Sequence, residues 1–140
     1  MNYKVLFILE NFYGPMKGRL KCPVYGTQFI NPRNATYSRI LKHFKGTDFA
    51  LYFGETTPFI ADNKDDKFDV DLEWVKKTVE YNDWFAVIPC CKKAEEALKK
   101  LGIEPFTSLP HPASYAWRKQ MIIECIKELN ERKDEEPRIH

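Results

Sequence analysis

Apolar residues along this chain follow two rhythms. Tyr3–Leu9 (YKVLFIL) is a continuous apolar run of strand length, the mark of a strand covered on both faces. Asp48–Phe53 (DFALYF) and Asp83–Pro89 (DWFAVIP) repeat that pattern, and Pro105–Leu109 reads as a fourth, brief strand. Between them the spacing changes to threes and fours. Asn34–Phe44 opens on an N-cap residue and brings Tyr37, Ile40, Leu41 and Phe44 to one helical face, with Gly46 as the stop. Leu72–Tyr81 places Leu72, Val75 and Val79 together, and Lys92–Leu101 is a short helix closed by Gly102. Ser114 is the expected cap of a long last helix. Its stripe is Trp117, Met121, Ile122, Cys125, Ile126 and Leu129, and its charged tail from Arg132 is expected to fray.

Strand and helix thus alternate four times. That order predicts a single α/β domain over residues 1–140, a three-layer α/β/α sandwich around a short, mainly parallel four-stranded sheet. Two longer polar stretches interrupt it: Glu10–Tyr25, read as an ordered loop, and Thr56–Asp71, read as a surface excursion. Ligands of such sheets bind outside the carboxyl ends of the strands. The loops that leave those ends begin at Glu10, Gly54 and Pro110, and they are expected to converge.

Composition narrows the class. With 44% hydrophobic and 14% aromatic residues the chain can build a core and is far from a disordered profile. A net charge of +2 does not by itself indicate nucleic acid, but basic residues gather at Lys17–Lys21 and Arg118–Lys119, opposite an acidic run at Asp62–Asp66. No stretch approaches the roughly 18 apolar residues of a membrane span, and Met1–Glu10 reads as a buried strand and not as a signal peptide. Cys22, Cys90, Cys91 and Cys125 lack C-x-x-C spacing, so they are read as free thiols in a reducing, cytoplasmic setting. No metal or other cofactor is expected, nor a membrane partner, and the chain is read as a monomer.

Several common chemistries are absent by motif. There is no G-x-G-x-x-G or G-x-x-x-x-G-K phosphate cradle, no G-x-S-x-G elbow, and no H-x-E with P-C-x-x-C despite Pro89-Cys90-Cys91. What remains is a pairing. The first strand ends in Leu9-Glu10-Asn11-Phe12-Tyr13-Gly14-Pro15, and the last in Pro110-His111-Pro112-Ala113-Ser114. This pairing resembles the two motifs of the uracil-DNA glycosylase superfamily. Tyr25-Gly26-Thr27-Gln28-Phe29 is similar to that family's base-stacking segment, Asn34–Phe44 to the helix after it, and Asp83–Leu101 to a later strand and helix.

The resemblance implies a protein that flips a pyrimidine or modified base out of DNA and hydrolyses its N-glycosidic bond. It implies Glu10 or Asn11 as the residue that handles water, with Tyr13 and Phe29 against the base and His111 stabilising charge on the departing base. Tyr115 takes the place of a wedge, and Arg118, Ser114, Lys17 and Arg19 face DNA. Three departures stand out: Ala113 replaces a serine, the first motif lacks the family's usual proline, and Phe53-Gly54-Glu55-Thr56 replaces a strand end that carries a uracil-reading asparagine. Glu55 is therefore the expected base-reading side chain for a different or modified base. Two alternatives follow from these departures: a non-hydrolytic base-modifying transferase or flipped-base binder, and a deoxyribosyltransferase-like enzyme on free nucleosides.

Overall fold

The computed structural model describes residues 3–10, 12–13, 35–58, 60–61 and 68–135, with backbone alone at 12–13, 35–36 and 60–61. Three strands form a parallel sheet: β1 (Tyr3–Leu9) lies between β3 (Phe49–Glu55) and β5 (Ala86–Pro89). The register runs Tyr3↔Phe49 through Leu9↔Glu55 on one edge and Val5↔Ala86 through Ile8↔Pro89 on the other. Parallel neighbours need crossovers, and the helices supply them. These are α1 (Ala35–Leu41), α2 (Leu72–Glu80), α3 (Lys92–Lys100) and α4 (Lys119–Glu135).

The alternation of β1 side chains sorts the helices into two groups. Val5, Phe7 and Leu9 pack with Ile40 and Phe44 from α1 and its following turn, and with Ile122, Cys125 and Leu129 of α4. Leu6 and Ile8 pack with Val75 of α2 and with Ala94, Ala97 and Leu98 of α3. Local chemistry sets the helix ends. The Asp71 side chain accepts from Trp74 N at 3.0 Å and starts α2, and the Cys91 sulfur accepts from Ala94 N at 3.4 Å and starts α3. Gly102, at φ 72°, takes the left-handed conformation that lets the chain leave α3, and Gly46, at φ 79°, takes it in the turn between α1 and β3.

The structure departs from the sequence pattern in several places. Pro105–Leu109 forms no ladder: Phe106 N–H donates to Val87 O at 2.9 Å and Leu109 N–H to Pro89 O at 3.0 Å, so the segment runs beside β5 on two bonds. Pro105 and Pro110 bracket the segment, and a proline gives the sheet no N–H. The two polar stretches contain a short parallel pair, β2 (Phe12–Tyr13) with β4 (Ile60–Ala61), carrying the course of β1 and β3 outward. In α2 the buried residues are Trp74, Val75 and Thr78, while Leu72 is 38% exposed because it opens the helix at its outer edge. Ser114 does not cap α4; its Oγ accepts from Ala116 N at 3.1 Å within a turn, and the helix starts five residues later. Met121 is 38% exposed, outside the stripe.

The tail also differs, since α4 continues to Glu135. Its last turn is held by rings: Arg132 lies 5.1 Å from the Phe85 centroid and 5.5 Å from that of Phe106, and Lys133 is 5.6 Å from both Tyr3 and Phe49. On the α1/α4 face, Phe7 stacks on Phe53 at 5.4 Å and meets Phe44 edge-on at 6.0 Å. Replacing Phe7 by Ala should cost about 3–5 kcal/mol of unfolding free energy, read from urea denaturation. A loss below about 1 kcal/mol would mean that this cluster is not the core.

Candidate functional site

The carboxyl ends of β1, β3 and β5 bring four chemically active side chains together. Glu10 directly follows β1, and its carbonyl accepts from Thr56 N at 3.1 Å and from Thr56 Oγ1. Glu55 is the last residue of β3, in register with Leu9, and is 1% exposed. Cys90 N–H donates to Ile8 O at 2.8 Å, which carries the β5 edge one residue further and delivers Cys91 to the same end. His111 follows Leu109, whose bond to Pro89 O attaches that segment to the tip of β5.

These groups act on one another's titration. Burial first, and then the Glu10 charge, push the Glu55 carboxyl well above the usual carboxylate range. The protonated form of Glu55 is thereby favoured, and in that form the side chain can donate one hydrogen bond and accept others. Burial raises the Cys91 thiol to about 11, with the Glu10 and Glu55 charges adding to the rise against a backbone hydrogen bond from Ala94. Cys91 is thus a protonated cap and not a thiolate nucleophile. Burial is also the main influence on His111 and lowers its pKa; Glu10 pulls it up and Arg39 pulls it down. His111 is a neutral imidazole at pH 7.

The His111 turn is built from short-range bonds. Ser114 N–H donates to His111 O at 2.9 Å, and Ala113 N–H donates to His111 Nδ1 at 3.0 Å. Beyond it, Tyr115 is 100% exposed, and Arg118 Nη1 donates to Tyr115 O at 2.5 Å and to Trp117 O at 3.0 Å. Arg118 thereby stabilises the turn, with its guanidinium at the surface beside Tyr115.

Of the residues singled out from sequence, Glu10, Glu55 and His111 meet at one end of the sheet. Ser114, Tyr115 and Arg118 lie on the turn leading away from it. Tyr13 belongs to β2, of which only the backbone is described. Asn11, Lys17, Arg19, Phe29 and Cys22 lie outside the described residues, as do the acidic run Asp62–Asp66 and the basic run Lys17–Lys21. Cys90, Cys91 and Cys125 are free thiols. Among the described residues, no group of three or more His, Cys, Asp or Glu is placed to hold a metal ion, and no helix is long and apolar enough to cross a membrane.

Sequence reasoning missed three members of the site. Thr56 holds the Glu10 carbonyl, Cys91 caps α3 beside the carboxyl groups, and Arg39 of α1 donates to Pro112 O. The helical spacing does set Arg39 off the apolar face of α1, but which loop an exposed arginine reaches depends on packing that no local pattern records.

No protein-family model, curated protein or solved structure matches this chain. The reading of the site rests on its own chemistry.

The raised Glu55 pKa has a consequence for folding. The unfolded carboxyl titrates near about 4.3, and the folded one well above it, so between those values the native state binds more protons than the unfolded chain. Stability from this group is therefore highest at low pH and falls as the pH climbs toward the folded pKa. Glu55→Gln should flatten that fall, measured as urea midpoints at about pH 5 and about pH 8. Equal pH slopes in the two proteins would exclude a buried neutral Glu55.

Proposed function

We propose that this chain is a DNA glycosylase-like protein of the uracil-DNA glycosylase type. In this reading the fold is a three-layer α/β/α sandwich in which Pro105–Leu109 occupies the place of a fourth strand. The protein takes a pyrimidine or modified base out of DNA and hydrolyses its N-glycosidic bond. The observation that carries the reading is the meeting of Glu10, Glu55 and a neutral His111 at the carboxyl ends of the strands.

The chemistry asks three things of a site, and each has a candidate. Breaking the C1′–N bond builds positive charge on the sugar and negative charge on the base. Glu10, or Asn11 beside it, stands at the sugar to orient the attacking water and take its proton. His111 donates Nε2–H to the base as it leaves with the bonding electron pair. In the protonated form that burial favours, Glu55 would present a donor and an acceptor to the edge of the base, the two capacities that an amide would offer. Tyr13 and Phe29 are the aromatic candidates for stacking on the extruded base, and Lys17, Arg19, Ser114 and Arg118 for the DNA backbone.

Tyr115 favours DNA over free nucleosides. A wholly exposed aromatic next to the His turn has no packing role, and it has the shape of a wedge that fills the place of an extruded base. A second reading draws on Glu55, which stands where the family carries an asparagine: a non-hydrolytic transferase or binder that holds an extruded modified base.

A panel of single- and double-stranded oligonucleotides carrying uracil, mismatches or modified pyrimidines separates these readings when scored for abasic sites and for mass-shifted bases. Base release is expected; binding or a mass shift without release would favour the second reading. His111→Ala should lower turnover by about 10²–10³-fold, the cost of one oxyanion-type donor, with DNA affinity nearly unchanged. Full activity in a folded His111→Ala protein would remove the leaving-group role. Tyr115→Ala should weaken activity on duplex DNA several-fold more than on single strands, where no helix is opened, and an equal loss on both would exclude the wedge.

A further inference from the structure

The turn that carries His111 is held from outside itself. Within it, Ala113 N–H donates to His111 Nδ1. A ring nitrogen that accepts from an amide carries no proton, so the one N–H of the neutral imidazole is on Nε2. Protonating Nδ1 would aim two N–H groups at each other and break that bond, so the imidazolium form requires the turn to open.

From the last turn of α1, Arg39 reaches across the chain, and its Nη1 donates to the carbonyl of Pro112, which lies between His111 and Ala113. Among the described residues, the charged groups that act on His111 are this guanidinium from α1 and Glu10 from the end of β1, and they have opposite signs. Arg39 therefore does two things at one place. It fixes the backbone on which the Ala113–Nδ1 bond depends, and it offsets the Glu10 charge that favours a second proton on the ring.

We propose that Arg39 is a positioning residue for His111, clamping the Pro110–Ser114 turn to α1 so that Nε2–H remains the donor of the ring. This rests on the reading of His111 as the leaving-group donor. Arg39 acts through the turn and through its charge. A lysine there would keep the charge but lose the planar fork of donors that aligns on a carbonyl.

The test is ¹⁵N NMR of the His111 imidazole in the full chain, titrated in the wild type, Arg39→Met and Arg39→Lys, with base release assayed in parallel. The wild type is expected to show the Nε2–H tautomer. In Arg39→Met the Glu10 charge acts unopposed by the guanidinium and favours the imidazolium, so the His111 pKa should rise and the tautomer should become mixed. Base release by Arg39→Met should fall by about 10- to 10²-fold in kcat, with KM within about threefold. The acid limb of its pH profile should move to higher pH. Arg39→Lys should hold the pKa near the wild-type value and still loosen the tautomer, which a merely structural arginine would not do. An unchanged His111 tautomer in both variants, each folded by circular dichroism, overturns the proposal. If the wild type releases no base from any oligonucleotide while Arg39→Met still shifts the tautomer and pKa, the clamp stands and the glycosylase reading fails.

Discussion

From Val5 to Leu9, strand β1 has no side that faces water. Val5 to Leu9 are at most 3% exposed, and its backbone pairs with β3 along one edge and β5 along the other. A strand in that position must be apolar on both faces, and it can carry polar side chains only where it leaves the sheet. Leu9 is the last residue to satisfy the rule and Glu10 is the first released from it. Edge strand β3 is fully buried only over Phe53–Glu55, and it places the Glu55 carboxyl at that buried tip, in register with Leu9. The polar end of the molecule is thus a by-product of how its apolar centre is paired.

The electrostatics follow from that crowding. Two carboxyl groups, a thiol and an imidazole share one partly dehydrated region, and each disfavours charge on its like neighbours. The raised Glu55 pKa and the lowered His111 pKa are the response to burial without enough counter-charge. Arg39 is the cation that acts on this group from α1, and it engages a backbone carbonyl. In the proposed reaction, the His111 imidazole held in its turn is the donor for charge that forms on the departing base.

How much was legible in the sequence depended on the range of the interaction. The run Tyr3–Leu9 and the spacing of Ile40 and Phe44 encode burial directly, because each residue's neighbours along the chain are also its neighbours in the element. The positions of Glu10, Glu55 and His111 at one end followed from strand polarity, a rule of topology. Pro105–Leu109 has the apolar content of a strand, yet prolines bracket it and it holds to β5 by only two bonds. Ser114 has the chemistry of a helix cap, but its hydroxyl is occupied by a tighter local turn. The bonds from Arg39 to Pro112 and from Thr56 to Glu10 join residues 73 and 46 positions apart, beyond the reach of any local periodicity.

Helix α4 links the two poles of the sheet. Its 17 residues extend about 25 Å, from just beyond the His111 turn to the rings at the starts of β1 and β3 and before β5. A rod anchored at its far end by Arg132 and Lys133 cannot slide or tilt freely at its near end. Arg118, whose carbonyl accepts from Met121 N and whose guanidinium holds Tyr115 O, joins that rod to the segment after His111, so one helix reaches from the candidate site to the aromatic rings at the opposite pole.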